Sequence, residues 1–137
     1  WSPTGWSAGN GASFSAALVA GAVALVKQRY PSLTTAQLKS AVVNTANAAV
    51  DDFDAQGVRG RARVTAVGAG RLDAGGAVQT NVTVEPAAIS FGRVQQVNQN
   101  RTLRLTNIGT QNLNLTLAVE RRDPDSRANL TLSSSTA

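Results

Sequence analysis

Apolar residues follow a helical pattern before residue 80 and alternate along the chain after it. From Ser13 to Arg29 there is one glycine and no proline, and alanine, leucine and valine dominate, which predicts a helix. Tyr30 precedes Pro31, a context that disfavours helical backbone, so the helix is expected to end there. Because this helix has no polar face, we expect it to be buried on all sides, although the rest of the chain is too small to surround it.

A second helix is predicted to start at Thr34, which is placed as its N-cap, with Gln37 as the capping-box partner. Leu33 and Leu38 are spaced for a hydrophobic staple. The i, i+3, i+4, i+7 spacing places four residues on a buried face, namely Leu38, Ala41, Val42 and Thr45. It leaves three residues on the solvent side, namely Lys39, Ser40 and Asn44.

Residues 50 to 68 pass from an acidic stretch to alternating arginines. This predicts a loop over Asp51–Asp54 and then a short strand or hairpin arm over residues 59–67. Gly68-Ala69-Gly70 predicts a turn, and Asp73 is expected to cap a short helix over Ala74–Gln79. Aspartates at 51, 52 and 54 suit calcium, but without EF-hand spacing an ordinary solvated acidic loop is the favoured interpretation, and no metal site is expected.

After residue 80 the apolar period becomes two, which is typical of half-buried strands. The predicted strands contain Val82 and Val84, Ile89 and Phe91, Leu103 and Leu105, residues 113–119, and Leu130 and Leu132. Turns are predicted at Asn107–Thr110 and Arg121–Asp125. Four or five strands are fewer than an immunoglobulin-type sandwich needs, so residues 80–137 are expected to form an incomplete antiparallel β-sandwich module. The predicted fold class is α+β, with residues 1–79 as the other domain.

The composition argues against several kinds of function. The chain has 137 residues, a net charge of +5 and 4% aromatic residues. The arginines cluster only at 59, 61 and 63 and at 121 and 122, so nucleic-acid binding is not expected. The apolar run over residues 16–26 is shorter than the ~20 residues of a membrane span. The chain contains neither cysteine nor histidine, so the usual general base must come from elsewhere.

The segment Gly11-Ala12-Ser13-Phe14-Ser15 opens the apolar helix. From the local pattern alone, the favoured role for Ser13 is that of a helix cap. The same position lies beside unpaired amides and the positive end of the helix dipole, where an anion is favoured. The local pattern leaves both roles open.

Residues 11–21, Gly-Ala-Ser-Phe-Ser-Ala-Ala-Leu-Val-Ala-Gly, resemble the serine motif of subtilisin-like proteases (subtilases, the S8 family), which is usually Gly-Thr-Ser-Met/Phe-Ala/Ser-x-Pro-x-Val-Ala-Gly. Pro31–Thr34, Asn44–Ala46 and Gly68–Ala74 also match, so the resemblance covers most of residues 5–79. It departs at Ala12, where threonine is usual, and at Ala17, where proline is usual. The first domain therefore resembles the C-terminal helices of an α/β subtilase domain.

The resemblance implies that Ser13 attacks a peptide carbonyl while a histidine takes its proton and an aspartate orients that histidine. In this family both partners precede the serine, so they are expected in an upstream part of the protease domain, and this chain is expected to be inactive alone. The implied substrate is a protein or peptide, and no cofactor is implied. The family's second oxyanion donor is also far upstream, so Asn10 is expected to be a turn residue.

Residues 82–119 resemble the start of hydin-type immunoglobulin-like modules, which often follow secreted bacterial subtilases. The resemblance implies a secreted or cell-surface location in a bacterium. If the chain folds alone, residues 13–29 are expected to be covered by a second copy or a swapped element. The alternative function is a noncatalytic β-sandwich module for binding or spacing, with Ser13 only a helix cap.

Overall fold

A computed structural model describes residues 4–5, 9, 11–92, 98–122 and 129–137. The helices are α1 (Ala12–Arg29), α2 (Thr35–Asn44), α3 (Val64–Val67) and α4 (Ala74–Gln79). The strands are β1 (Asp51–Phe53), β2 (Arg59–Arg61), β3 (Val82–Glu85) and β4 (Arg104–Asn107). They form two separate two-stranded antiparallel sheets, β1–β2 and β3–β4. This mixture of helices and small sheets is consistent with the predicted α+β class.

Helix α1 forms where its apolar sequence predicts and ends at Tyr30, whose amide donates to the carbonyl of Val26 at 2.8 Å. The expectation of burial on all sides is not met in the single chain. Ala22 and Val26 are buried, whereas Leu18 is 68% exposed and Leu25 is 50% exposed. The physical reason is the one anticipated from length, since the remaining elements cover only one side of an all-apolar helix.

Helix α2 begins with the predicted capping box. The amide of Gln37 donates to Thr34 Oγ1 at 3.2 Å, and the amide of Thr34 donates to Gln37 Oε1 at 3.1 Å. The prediction that Ser40 faces solvent is wrong, because Ser40 is fully buried. Its hydroxyl accepts a hydrogen bond from the amide of Val84 in β3, which turns this side of α2 toward the sheet.

The core lies where α1, α2 and α4 meet. Its buried members are Val26, Leu33, Ala41, Val42 and Ala77. Partly buried side chains pack around them, namely Val23, Tyr30, Leu38, Leu72, Val78 and Ile108. Ile108 directly follows β4, so one residue of the C-terminal region contributes to the packing of the helices.

The acidic stretch at 51–53 is a strand and not the predicted loop. It pairs with β2 in the register Asp51↔Arg61 and Phe53↔Arg59. The carboxylate of Asp51 also accepts from Arg59, with Oδ2 2.7 Å from Nη2. Opposite charges on facing strands of a hairpin stabilise the pairing of the strands. The hydrophobic pattern along one segment does not reveal such a pairing.

The predicted hairpin arm over residues 59–67 is only partly correct, because residues 64–67 form the short helix α3. The amides of Ala66 and Val67 both donate to the carbonyl of Arg63 at 3.0 Å. The apolar residues of this segment suggest a strand, but these hydrogen bonds to Arg63 give the backbone a helical turn.

The turn at Gly68-Ala69-Gly70 is confirmed, with positive φ at Gly68 and Gly70. It brings Arg71 beside Asn47, and the two residues exchange backbone hydrogen bonds of 2.8 and 2.9 Å. The predicted cap at Asp73 is also confirmed, since its Oδ1 accepts from the amide of Gly76 at 2.8 Å. These contacts place α4 against α1 and α2.

The C-terminal region has fewer strands than the alternation predicts. The segments around Val82 and Leu105 form β3 and β4. Residues 115–117 pair with residues 135–137 through three backbone hydrogen bonds, whereas residues 89–91 and 130–132 are not strands. The turn after Asn107 is confirmed, because Asn107 Oδ1 accepts from the amide of Gly109 at 2.9 Å. The turn predicted at Arg121–Asp125 lies partly outside the described residues.

Taken over these described ranges, the C-terminal region does not show an immunoglobulin-like sandwich. None of the helices in the same ranges has the length and hydropathy that a membrane span requires.

Candidate active site

Ser13 is the second residue of α1, and Gly11 occupies the N-cap position. No side chain makes a capping hydrogen bond at this end of the helix. The interpretation of Ser13 as a helix cap is therefore wrong. Glycine is an accepted N-cap residue, so the local sequence permits this assignment, but a serine two positions later obscures it.

The first turn of α1 leaves the amide of Ser13 available. The amides of Phe14 and Ser15 donate to the carbonyl of Gly11 at 3.2 and 3.3 Å. The amides of Ala12 and Ser13 precede the first intrahelical bond and have no acceptor within the helix. Together with the positive end of the helix dipole, they favour negative charge beside Ser13.

The hydroxyl of Ser13 is exposed, and it has no hydrogen-bond partner in the part of the chain that the structure describes. Ser15 differs, since its Oγ donates to the carbonyl of Gly11 at 3.5 Å. Next to Ser13, the ring of Phe14 is 63% exposed. A Cβ added at Gly9 would lie 3.4 Å from Cε2 of this ring, so the incoming chain passes beside the first turn.

The acidic residues of the hairpin have partners within the hairpin itself. Asp51 pairs with Arg59. Asp52 Oδ1 accepts from the amide of Phe53 at 2.8 Å. Asp54 Oδ1 accepts from the amides of Gln56 and Val58 at 2.9 and 2.8 Å. Across residues 4–5, 9, 11–92, 98–122 and 129–137, no three acidic, histidine or cysteine side chains converge as a metal site would require.

Ser13 thus presents a hydroxyl group in a local environment that favours an anion. The sequence contains no histidine, so no general base of that type lies within these 137 residues. Asn10, expected to be a turn residue, lies outside the described residues.

Comparison with known protein families decides which family this motif belongs to. The model of the Subtilase family matches residues 2–101, which is more than half of the chain. The chain belongs to the subtilase family. The match includes Ser13 and all four helices of this subtilase chain.

Two curated relatives agree with this assignment. The minor extracellular protease Vpr of Bacillus subtilis is 32% identical over 100 residues, which cover 73% of this chain and 12% of that protein. Mycosin-1 of Mycolicibacterium smegmatis is 50% identical over 52 residues, which cover 36% of this chain and 12% of that protein. The matched part of the subtilase chain thus spans about an eighth of either relative. No solved structure matches it significantly.

Proposed function

We propose that Ser13 is the nucleophile of a subtilisin-like serine endopeptidase that hydrolyses peptide bonds in protein substrates. The aspartate and histidine of the triad are supplied by the protease domain upstream of these residues. The observation that carries this proposal is the exposed hydroxyl of Ser13, which has no partner among the described residues, at the N-terminus of α1 in a chain of the subtilase family. A helix cap would have its hydroxyl bonded to a backbone amide, and that of Ser13 is not.

The arrangement suits acyl transfer. Ser13 Oγ attacks the scissile carbonyl as its proton passes to the histidine, and the carbonyl oxygen becomes an oxyanion. The free amide of Ser13 and the helix N-terminus stabilise that charge. The histidine then gives its proton to the leaving amine, and water hydrolyses the acyl-enzyme by the same route.

The two departures from the family motif leave the nucleophile in place. Ala12 removes a hydroxyl next to Ser13, and Ala17 replaces a ring within the second turn of α1. The helix nevertheless runs without a break from Ala12 to Arg29. We therefore expect these changes to modulate the rate and not to abolish the chemistry.

Peptide hydrolysis by the full-length polypeptide that carries these residues tests the proposal. We expect Ser13→Ala to reduce turnover by several orders of magnitude, because the variant lacks the attacking hydroxyl. Ser15→Ala, which alters a serine in the same helical turn, is the matched control and should retain activity. Hydrolysis by the Ser13→Ala protein at the wild-type rate would refute the assignment.

We propose that residues 80–137 form an incomplete immunoglobulin-like β-sandwich module, with residues 1–79 as the C-terminal part of the catalytic domain. The antiparallel pairs β3–β4 and 115–117 with 135–137 support a β-rich module. Its function would be spacing, or binding to protein or polysaccharide surfaces. A solved structure of the full-length polypeptide tests this, since β3 and β4 should continue into two facing sheets.

We propose a secreted or cell-surface location in a bacterium. The name of the Bacillus subtilis relative describes an extracellular protease, and both relatives are bacterial proteins. Immunodetection of the full-length polypeptide in culture medium, cell wall and cytosol fractions tests this location. Its confinement to the cytosol would contradict it.

A further inference from the structure

Glu120 and Arg122 contact the β1–β2 hairpin and its base, although 60 positions separate Arg122 from Ala62 in the sequence. The Arg122 guanidinium donates from Nε to the carbonyl of Ala62 and from Nη2 to the carbonyl of Val50, the latter at 3.1 Å. Glu120 forms an ion pair with Arg61, with Oε1 2.5 Å from Nη2. Two side chains of one C-terminal segment therefore hold the same end of the hairpin.

Arg122 lies at the open end of the hairpin. Val50 immediately precedes β1 and Ala62 immediately follows β2, and the amide of Ala62 donates to the carbonyl of Val50 at 2.9 Å. The guanidinium of Arg122 donates to both of these carbonyls, at the point where the hydrogen-bond ladder between β1 and β2 ends. Hydrogen bonds from a charged donor are stronger than those between neutral groups, so Arg122 is a strong attachment for the hairpin base.

The strands of the hairpin bury little surface of their own. Each strand has three residues, and all six are exposed. A two-stranded hairpin of this kind is marginally stable in water. At the tip, Asp54 orders the turn by accepting from the amides of Gln56 and Val58. The tip is thus organised locally, whereas the base depends on the distant segment.

We propose that Glu120 and Arg122 form a latch that holds the β1–β2 hairpin in place, so that this C-terminal segment determines how well ordered the hairpin is. The latch stands whether or not Ser13 is a nucleophile. Arg122 is its main element, because Glu120 and Arg61 make an exposed ion pair, a type that stabilises little. When the latch opens, the strands of residues 51–61 lose their fixed base.

Amide hydrogen exchange of the full-length polypeptide, measured by mass spectrometry on peptides covering residues 49–62, tests the latch. Arg122→Gln should raise exchange in these peptides by about 10- to 100-fold, the range expected for loss of hydrogen bonds to a charged group. Arg122→Lys, which keeps the charge but loses the planar fork, should give a smaller increase. Glu120→Gln should have the smallest effect of the three.

Arg121→Gln is the matched control. Arg121 is adjacent and exposed, and its guanidinium lies 3.5 Å from Asn129 Oδ1. Exchange in residues 49–62 should remain at the wild-type rate in this variant. Peptides covering α2 should be unchanged in every variant, which separates opening of the hairpin from unfolding.

Either of two results would overturn the proposal. One is equal exchange over residues 49–62 in the wild type and Arg122→Gln. The other is a rise that extends equally to α2, since Arg122 would then act on overall stability and not as a latch for the hairpin.

Discussion

The hydroxyl of Ser40 accepts a hydrogen bond from the amide of Val84 at 2.6 Å. It also accepts from Asn44 Nδ2 at 2.9 Å, so one buried oxygen joins two turns of α2 to strand β3. Nearby, the hydroxyl of Tyr30 donates to the carbonyl of Thr80 at 3.0 Å. The boundary proposed at residue 80 is therefore a change in the type of element and not a break in packing.

We expect Ser40→Ala to lower the free energy of unfolding by about 1–3 kcal/mol, because it leaves the half-buried amide of Val84 without its acceptor. Urea-induced unfolding measures this. Ser32→Ala alters an exposed serine just before α2 and should stay within about 0.5 kcal/mol of the wild type. Equal effects of the two substitutions would contradict the importance of the Ser40–Val84 bond.

Gly70 is predicted to tolerate no side chain. Its φ is +122°, and a Cβ there would lie 2.7 Å from the carbonyl carbon of Asn47. Gly70→Ala should cost at least about 2 kcal/mol of stability through backbone strain and this overlap. Gly60→Ala is the control, since a Cβ at Gly60 meets open space. The same unfolding measurement compares them, and a neutral Gly70→Ala would show that the Asn47–Arg71 contact can move.

The capping box of α2 gives a third prediction. Thr34→Ala removes the side-chain acceptor for the amide of Gln37 and should lower the free energy of unfolding by about 1 kcal/mol. Thr34→Ser keeps the hydroxyl and should retain most of that stability. Equal losses in urea-induced unfolding would indicate that the methyl group of Thr34, and not its hydroxyl, supports the helix start.

Some features of the fold can be predicted from the sequence alone. The C-terminal end of α1 at Tyr30, the capping box at Thr34 and the cap at Asp73 follow from interactions between residues a few positions apart, and these three were predicted. Their physical cause is local, since a cap needs only its own helix. The turn at Gly68–Gly70 is predictable for the same reason.

Contacts between distant residues were not predictable in this way. Ser40 is polar and lies beside Lys39, so a one-helix pattern places it in solvent, and only β3 explains its burial. Asp51 gains a strand partner 10 positions later in Arg61. Arg122 and Glu120 carry no motif at all. The role of Ser13 was open for a different reason, because a cap and a nucleophile share the same local sequence.

The exposed face of α1 predicts self-association of residues 1–137 when they are produced alone. Leu18 and Leu25 present apolar surface that we propose a second copy or a swapped element covers. Sedimentation velocity should show concentration-dependent oligomers, and the double change Leu18→Ser with Leu25→Ser should shift them toward monomer. Leu132→Ser, at an exposed leucine outside α1, should not. A wild-type chain that stays monomeric at every concentration would contradict this.

Covalent labelling is the most direct test of the proposed role of Ser13 as an activated nucleophile. The full-length polypeptide is treated with a serine-directed phosphonate probe, and the modified peptide is identified by mass spectrometry. We predict a single adduct on Ser13 that is lost in Ser13→Ala and kept in Ser15→Ala. Absence of labelling at Ser13 in the wild type, or equal labelling of Ser13 and Ser15, would contradict the account.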